Sequence, residues 1–216
     1  MNLLYSNSKY KLNLFKKNTS IAYSKDIDAI YILKELKNIN LDYVSVYLNF
    51  SCESVMKEIS LHNSSKELLN LFGYSDLINK NTKDLSMSEI AVLRIVLELS
   101  KNKDYIILYD VLTYLDNVIK MKIINYLKEK NITIINFTSN EEEYLINPYM
   151  IVIDSGLVAI EGKTELVLQE EKLMKRLGFN LPFCIDVSKQ LIAYGLVDKV
   201  FLDYKDLVGE LWKSKS

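Results

Sequence analysis

The side chains that could do chemistry are few and far apart. The 216-residue sequence holds one histidine, His62, and two cysteines, Cys52 and Cys184, too few and too scattered for a Cys/His zinc site or a disulfide framework. No metal site is expected. His62, in SLHNSS, has no nearby partner that would complete a nucleophile–base pair, and it reads as a solvated loop histidine. The cysteines lack C-x-x-C spacing or an adjacent base, so they read as packing or surface thiols in a reducing compartment. Phosphate chemistry usually needs a glycine-rich turn whose backbone N–H groups face the ligand. The first of six glycines is Gly73, so nothing before it can form such a turn.

These residues sit in a strand and helix alternation. Apolar runs rich in β-formers predict strands at Thr19–Tyr23, Tyr43–Leu48, Tyr105–Tyr109, Ile132–Phe137 and Met150–Ile153. Helices are expected at Asp26–Lys37, Ser64–Phe72, Ser86–Lys101, Asp116–Lys130 and Asn140–Leu145, with Asp116 and Asn140 at N-cap positions. The helix from Ser86 is apolar nearly all round and therefore buried, with Arg94 and Glu98 spaced to pair where it reaches water. YIILY and ITIINF are apolar throughout, as strands covered on both faces are. Asp154-Ser155-Gly156 predicts a hairpin turn that adds an antiparallel pair. A helical tail from about Gly162 to Trp212 follows, divided by Gly178 and Pro182. The fold class is α/β, a mostly parallel sheet.

Composition narrows the function. Lys+Arg of 27 against Asp+Glu of 28 gives a net charge of -1, with no broad attraction for nucleic acid or an anionic membrane. With 49% hydrophobic and 25% charged residues the chain is globular. There is no signal peptide and no apolar run of about 18 residues, so the chain is not expected to span a membrane by itself.

The stretch LSMSEIAVLRIVLELSKNKDYIILYDVLTYLD resembles the signature-to-Walker-B segment of ABC-type ATPases. ITIINFTSNEEEYLINPYMIVIDSGLVAIEGKTELVL resembles their switch-histidine strand, next helix and closing hairpin. The tail EEKLMKRLGFNLPFCIDVSKQLIAYGLVDKVFLDYKDLVGEL is similar to the C-terminal extension of ATPase subunits of energy-coupling factor (ECF) transporters. The likeness runs from about Ile21 to Leu211. It implies a P-loop-NTPase-like core over 1–162, a helical signature subdomain about 50–100, and an ECF-like extension over 163–216.

Carried over residue by residue, the family's motifs are replaced. An ungapped alignment puts the P-loop at Tyr23–Tyr31, with Tyr23, Asp26 and Asp28 at the glycines, Ala29 at the lysine and Ile30-Tyr31 at the Ser-Thr pair. Two carboxylates aimed at a polyphosphate repel it, and Ile30 cannot hold a metal. Lys25 is the cation nearby and reads as a solvated turn lysine. At Walker B, Tyr109 and Asp110 stand for Asp-Glu. Asp110 could act as a base if water reached it, or could serve as a capping or ion-pair carboxylate at a strand end. Asn49 falls near the magnesium-sensing glutamine, and Ser139 replaces the switch histidine. In the signature Ser86 survives, but Met87 and Ser88 replace the glycines and Glu89 the glutamine. Asp116 matches the aspartate that normally contacts the partner subunit and fits an N-cap equally.

The expectation is a degenerate ABC/ECF ATPase subunit, a pseudo-ATPase with no cofactor of its own. It would pair with an intact ATPase subunit and dock on a transmembrane scaffold, on the cytoplasmic face of the membrane. A second expectation has it in a heterodimer that still hydrolyses Mg²⁺–ATP, this chain contributing only Ser86. A third is a stand-alone binding module that uses the former nucleotide cleft for something else, unless the apolar replacements Ile27, Ala29, Ile30 and Tyr31 simply fill that cleft. Glu141-Glu142-Glu143 reads as a charge run favourable to a helix dipole. Leu207, Val208, Leu211 and Trp212 form an apolar face that either packs on the domain or meets a partner. Neither Arg94 nor Arg176 falls at a phosphate clamp.

Overall fold

The structure is a computed structural model that describes residues 2–62 and 66–213. The chain opens with a hairpin, β1 (Leu3–Asn7) and β2 (Leu12–Phe15), then enters the central strand β3 (Thr19–Tyr23) and helix α1 (Asp26–Asn38). Two short helices, α2 (Val55–Leu61) and α3 (Lys66–Phe72), precede α4 (Met87–Leu99). Then come β4 (Tyr105–Tyr109), α5 (Asn117–Glu129), β5 (Thr133–Thr138), β6 (Tyr149–Asp154) and β7 (Leu157–Lys163). The tail is α6 (Thr164–Gln169), α7 (Glu171–Arg176), α8 (Phe183–Ala193) and α9 (Tyr204–Lys213).

The main sheet has the order β4-β5-β3-β6-β7, parallel except for the last pair. Parallel strands joined by helices must be covered on both faces, which explains their unbroken apolar runs. One face packs on α1 and the N-terminal hairpin, where Ile21, Tyr23, Ile107, Ile135 and Phe137 meet Ile32, Leu33 and Leu36. The other face carries a core of α4 and α5 residues against Ile106, Leu108 and Ile134. Helix α4 is buried as its all-round apolarity requires: Val92, Leu93, Ile95 and Val96 have no exposed surface. At the β6–β7 turn Ser155 (φ 49) and Gly156 (φ 76) are both left-handed, the pattern of a two-residue hairpin loop.

Several elements differ from the sequence expectation. Tyr43–Leu48 is not a strand: only Val44 pairs with the sheet edge, at Leu108. Val44 N–H donates to Ile107 O at 2.8 Å and Tyr109 N–H to Val44 O at 2.9 Å, after which the chain turns outward at Tyr47. Asn140–Leu145 is a 3₁₀ segment over Glu141–Ile146 rather than an α-helix, because Glu143 is drawn into the core. The hairpin β1–β2 and helix α2 are additional elements. The expected helix start at Ser64 lies outside the described residues. The tail breaks at Gly178 (φ 83) and Pro182 as expected, and also at Gly195 (φ 68). Leu207 packs with Cys184, Val197 and Phe201, so that part of the terminal apolar face folds back on the chain.

Candidate functional site

Strand β3 ends at Tyr23 and α1 begins at Asp26, leaving only Ser24 and Lys25 between them. This connection holds no glycine. Lys25 is the N-cap of α1, is exposed and makes no side-chain cap bond. Asp26 and Asp28 occupy the first turn of α1, where carboxylates suit the helix dipole. Asp28 is buried with Oδ2 unpartnered, Ala29 is fully buried, Ile30 is half-buried, and Ile27 and Tyr31 are exposed.

The residue aligned with Walker B, Asp110, lies two strands over, beyond β5. Asp110 directly follows β4, in the left-handed region at φ 50, where a short polar side chain is tolerated. Its N–H donates to Phe137 O at 3.0 Å and its Oδ1 accepts from Ser139 N–H at 3.1 Å. Its Oδ2 accepts from the Tyr23 hydroxyl, which reaches past the end of β5. Thus Tyr23, Asp110 and Ser139, which the sequence resemblance aligned with three separate motif positions, meet at one point, with Asp110 accepting from both of the others. Burial pushes the Asp110 carboxyl above the ordinary range, against the bonds from Tyr23 and Ser139. Burial, then the bond to Asp110, raise the Tyr23 phenol far above its ordinary value.

Aromatic rings surround this pair. Tyr109 stands 5.9 Å from the Tyr23 ring and 6.4 Å edge-on from Tyr43, and burial pushes its phenol up to about 12. The Tyr47 and Tyr114 hydroxyls share a hydrogen bond nearby, which raises the Tyr114 phenol to about 12. Asn49 is exposed and lines a separate surface cleft with Cys52 and Thr82.

The signature and loop positions have local structural partners. Ser86 caps α4 in a reciprocal capping box: Ser86 Oγ accepts from Glu89 N–H at 3.3 Å, and Glu89 accepts from Ser86 N–H at 2.9 Å. Glu89 also pairs with Lys80 at 2.6 Å, and those bonds pull its carboxyl down. Ser88 Oγ bonds the Tyr74 hydroxyl at 2.9 Å. Asp116 caps α5, accepting from Ile119 N–H at 2.9 Å.

Other side chains depart from their expected roles. Arg94 and Glu98 do not pair. The Arg94 guanidinium lies 3.8 Å from the centre of the Phe50 ring and donates to Leu48 O, while Glu98 pairs with Lys101 at 2.7 Å and Lys103 at 3.0 Å. His62 is not simply solvated: it ends α2 half-buried, with Nε2 3.5 Å from Glu58. Cys52 and Cys184 are unbridged, and burial raises both thiols. Among the described residues no group of three or more His, Cys, Asp or Glu is placed to hold a metal ion.

Sequence reasoning missed Glu143. It is not a solvated dipole residue but a buried hub. One oxygen accepts from Thr113 at 3.1 Å and Lys120 at 3.0 Å, the other from Asn136 at 3.1 Å and Thr138 at 2.9 Å. The signal was present: Asn136 and Thr138, spaced i and i+2 in an apolar strand, put two polar side chains on one buried face.

No protein-family model matches the chain. The chain is 30% identical over 98 residues to the ECF transporter ATP-binding protein of Listeria monocytogenes, covering 44% of this chain and 35% of that protein. It is 27% identical over 150 residues to the ECF transporter ATP-binding protein of Lactobacillus delbrueckii subsp. bulgaricus, covering 67% of this chain and 53% of that protein. The chain thus spans about a third to a half of the length of these relatives. A solved dimeric bacterial ABC transporter cassette superposes with a TM-score of 0.58 at 16% identity, covering 71% of this chain and 89% of that chain. The fold is that of an ABC-type ATPase cassette. The curated relatives to which the chain is similar are ATP-binding proteins of energy-coupling factor transporters. Among the described residues no helix is long and apolar enough to cross a membrane.

Proposed function

We propose that the chain is an ABC/ECF-type subunit that does not use nucleotide, a pseudo-ATPase with a structural or regulatory part in a membrane import complex. The observation that carries this reading is the hydrogen bond from Tyr23 to Asp110, which joins the P-loop and Walker B positions directly. Mg²⁺ and ATP, which the resemblance implies, do not fit these residues. The two-residue β3–α1 connection offers no nest of N–H groups, Ala29 stands at the lysine, and Tyr109 stands at the metal-organising aspartate. Asp26 and Asp28 add like charge where phosphates would lie.

The relatives' names speak of ATP-binding proteins of a transporter, and ABC cassettes form dimers such as the bacterial one above. An intact ATPase subunit and a transmembrane scaffold are therefore the proposed partners, met on the cytoplasmic face of the membrane. The 1–162 core and 163–216 extension are the proposed division of labour. Purification of the tagged protein from its native cell tests this. Recovery together with an ATPase subunit and a membrane component is expected; recovery of neither overturns the transporter role.

One observation favours a second reading, hydrolysis at a composite site with an intact partner: Ser86 is exposed at the N-terminus of α4. In that case turnover of the purified pair would vanish on Ser86→Ala and persist on Asp110→Asn. Turnover insensitive to both would exclude it.

A further inference from the structure

We infer that the cleft at the N-terminal ends of β3 and β6 binds a small phosphate-bearing anion. Its volume is about 570 Å³, within the roughly 300–1,000 Å³ typical of small-molecule sites. Lys17, Lys128 and Lys163 line it, opposed by Glu165, and Ile146 and Leu202 add apolar wall. None of these lysines forms an ion pair among the described residues. Lys17 Nζ sits 3.2 Å from the centre of the Tyr149 ring, which fixes its position, and burial pulls its ammonium pKa down against the opposing charge of Glu161. An anion beside it would reverse that shift.

A second, independent observation falls in the same cleft. Asn147 is a lining residue, is 2% exposed, and has neither amide atom hydrogen-bonded, although its backbone oxygen accepts from Thr164 at 2.6 Å. A buried amide without partners is costly, and a ligand carrying both acceptors and hydroxyl donors relieves the cost once the enclosed side chain turns into the cleft. The three lysines outnumber the carboxylates beside them, Glu165 in the lining and Glu161 near Lys17, and the surplus favours an anion; a phosphate monoester carries about −1.5 to −2 charges at neutral pH. The cleft lies at the end of the parallel strands opposite Asp110 and Ser139, so it is separate from the nucleotide position described above.

Titration calorimetry with inorganic phosphate and with glycerol phosphate, beside flotation with vesicles containing phosphatidic acid, tests the site. Saturable phosphate binding is expected, weakened about tenfold or more by Lys17→Gln or Lys163→Gln. Asn147→Leu is expected to weaken it too while leaving the melting temperature at or above that of the parent. Vesicle binding lost in the same variants would support the same phosphate chemistry with a lipid headgroup as its source. Failure of every probe to bind at millimolar concentration, or binding indifferent to the lysine replacements, would overturn the proposal.

Discussion

The Tyr23 hydroxyl donates to Asp110 Oδ2 across the end of β5, tying the last residue of the central strand to the residue after β4. The resemblance aligns these two residues with separate motifs, the P-loop and Walker B. Here they face each other. Tyr23 is 1% exposed and Asp110 half-buried, so the bond is largely shielded from water. An unmade partner there would be costly.

Tyr23→Phe keeps the ring and removes the donor. Asp110 then retains the Ser139 N–H alone in a partly buried place. The expected loss of stability is about 1–3 kcal/mol, measured by urea denaturation at neutral pH. A variant as stable as the parent would show that the bond contributes nothing.

Asp110 also gives a dependence on pH. Burial raises its pKa in the folded state, so the folded chain holds the proton at pH values where the unfolded chain has lost it. Its contribution to stability is therefore complete below the unfolded value and fades as pH rises through the folded one. Asp110→Asn removes the titration. Stability curves measured from acid to neutral pH should be flatter for the variant, and the variant should gain on the parent toward neutrality. Parallel curves would contradict the raised pKa.

Glu143→Gln leaves Lys120 in a nearly buried place without its counter-charge. Breaking a buried pair of this kind costs about 3–5 kcal/mol. Glu141→Gln, two residues away and outside the network, should stay within about 0.5 kcal/mol of the parent. Thermal melts of the two variants side by side check this, and equal losses would deny Glu143 its special place.

Ser86→Ala removes one half of the capping box and should cost about 1 kcal/mol. Ser86→Asp keeps an acceptor at the N-cap and should retain most of the stability. Denaturant titration distinguishes the two. If both variants match the parent, the cap has no measurable role.

The fold was largely legible because its signals are local and repeated. β3, α1, α4 and β4 lie where apolar runs and caps put them, within a residue or two. The segment at Tyr43–Leu48 was misread because its β-forming residues have only one sheet neighbour, β4, which they meet at Val44 alone. The hairpin β1–β2 was missed because its alternation, with Leu12 and Leu14 buried and Asn13 exposed, spans only four residues in β2. At the site, the replaced motif residues could be named in sequence. Their mutual bonding could not. Tyr23 and Asp110 are 87 positions apart, and only the strand order β4-β5-β3 brings them together. Glu143 was hidden differently: within a run of three identical residues, sequence alone does not reveal which one turns inward.

The most direct measurement is equilibrium titration of the full chain with ATP, with and without Mg²⁺, up to millimolar nucleotide. The account expects no heat beyond dilution, with Tyr23 and Asp110 still bonded to each other. Saturable, Mg²⁺-dependent binding at micromolar concentration would contradict it, and the chain would then be a nucleotide-binding subunit in its own right.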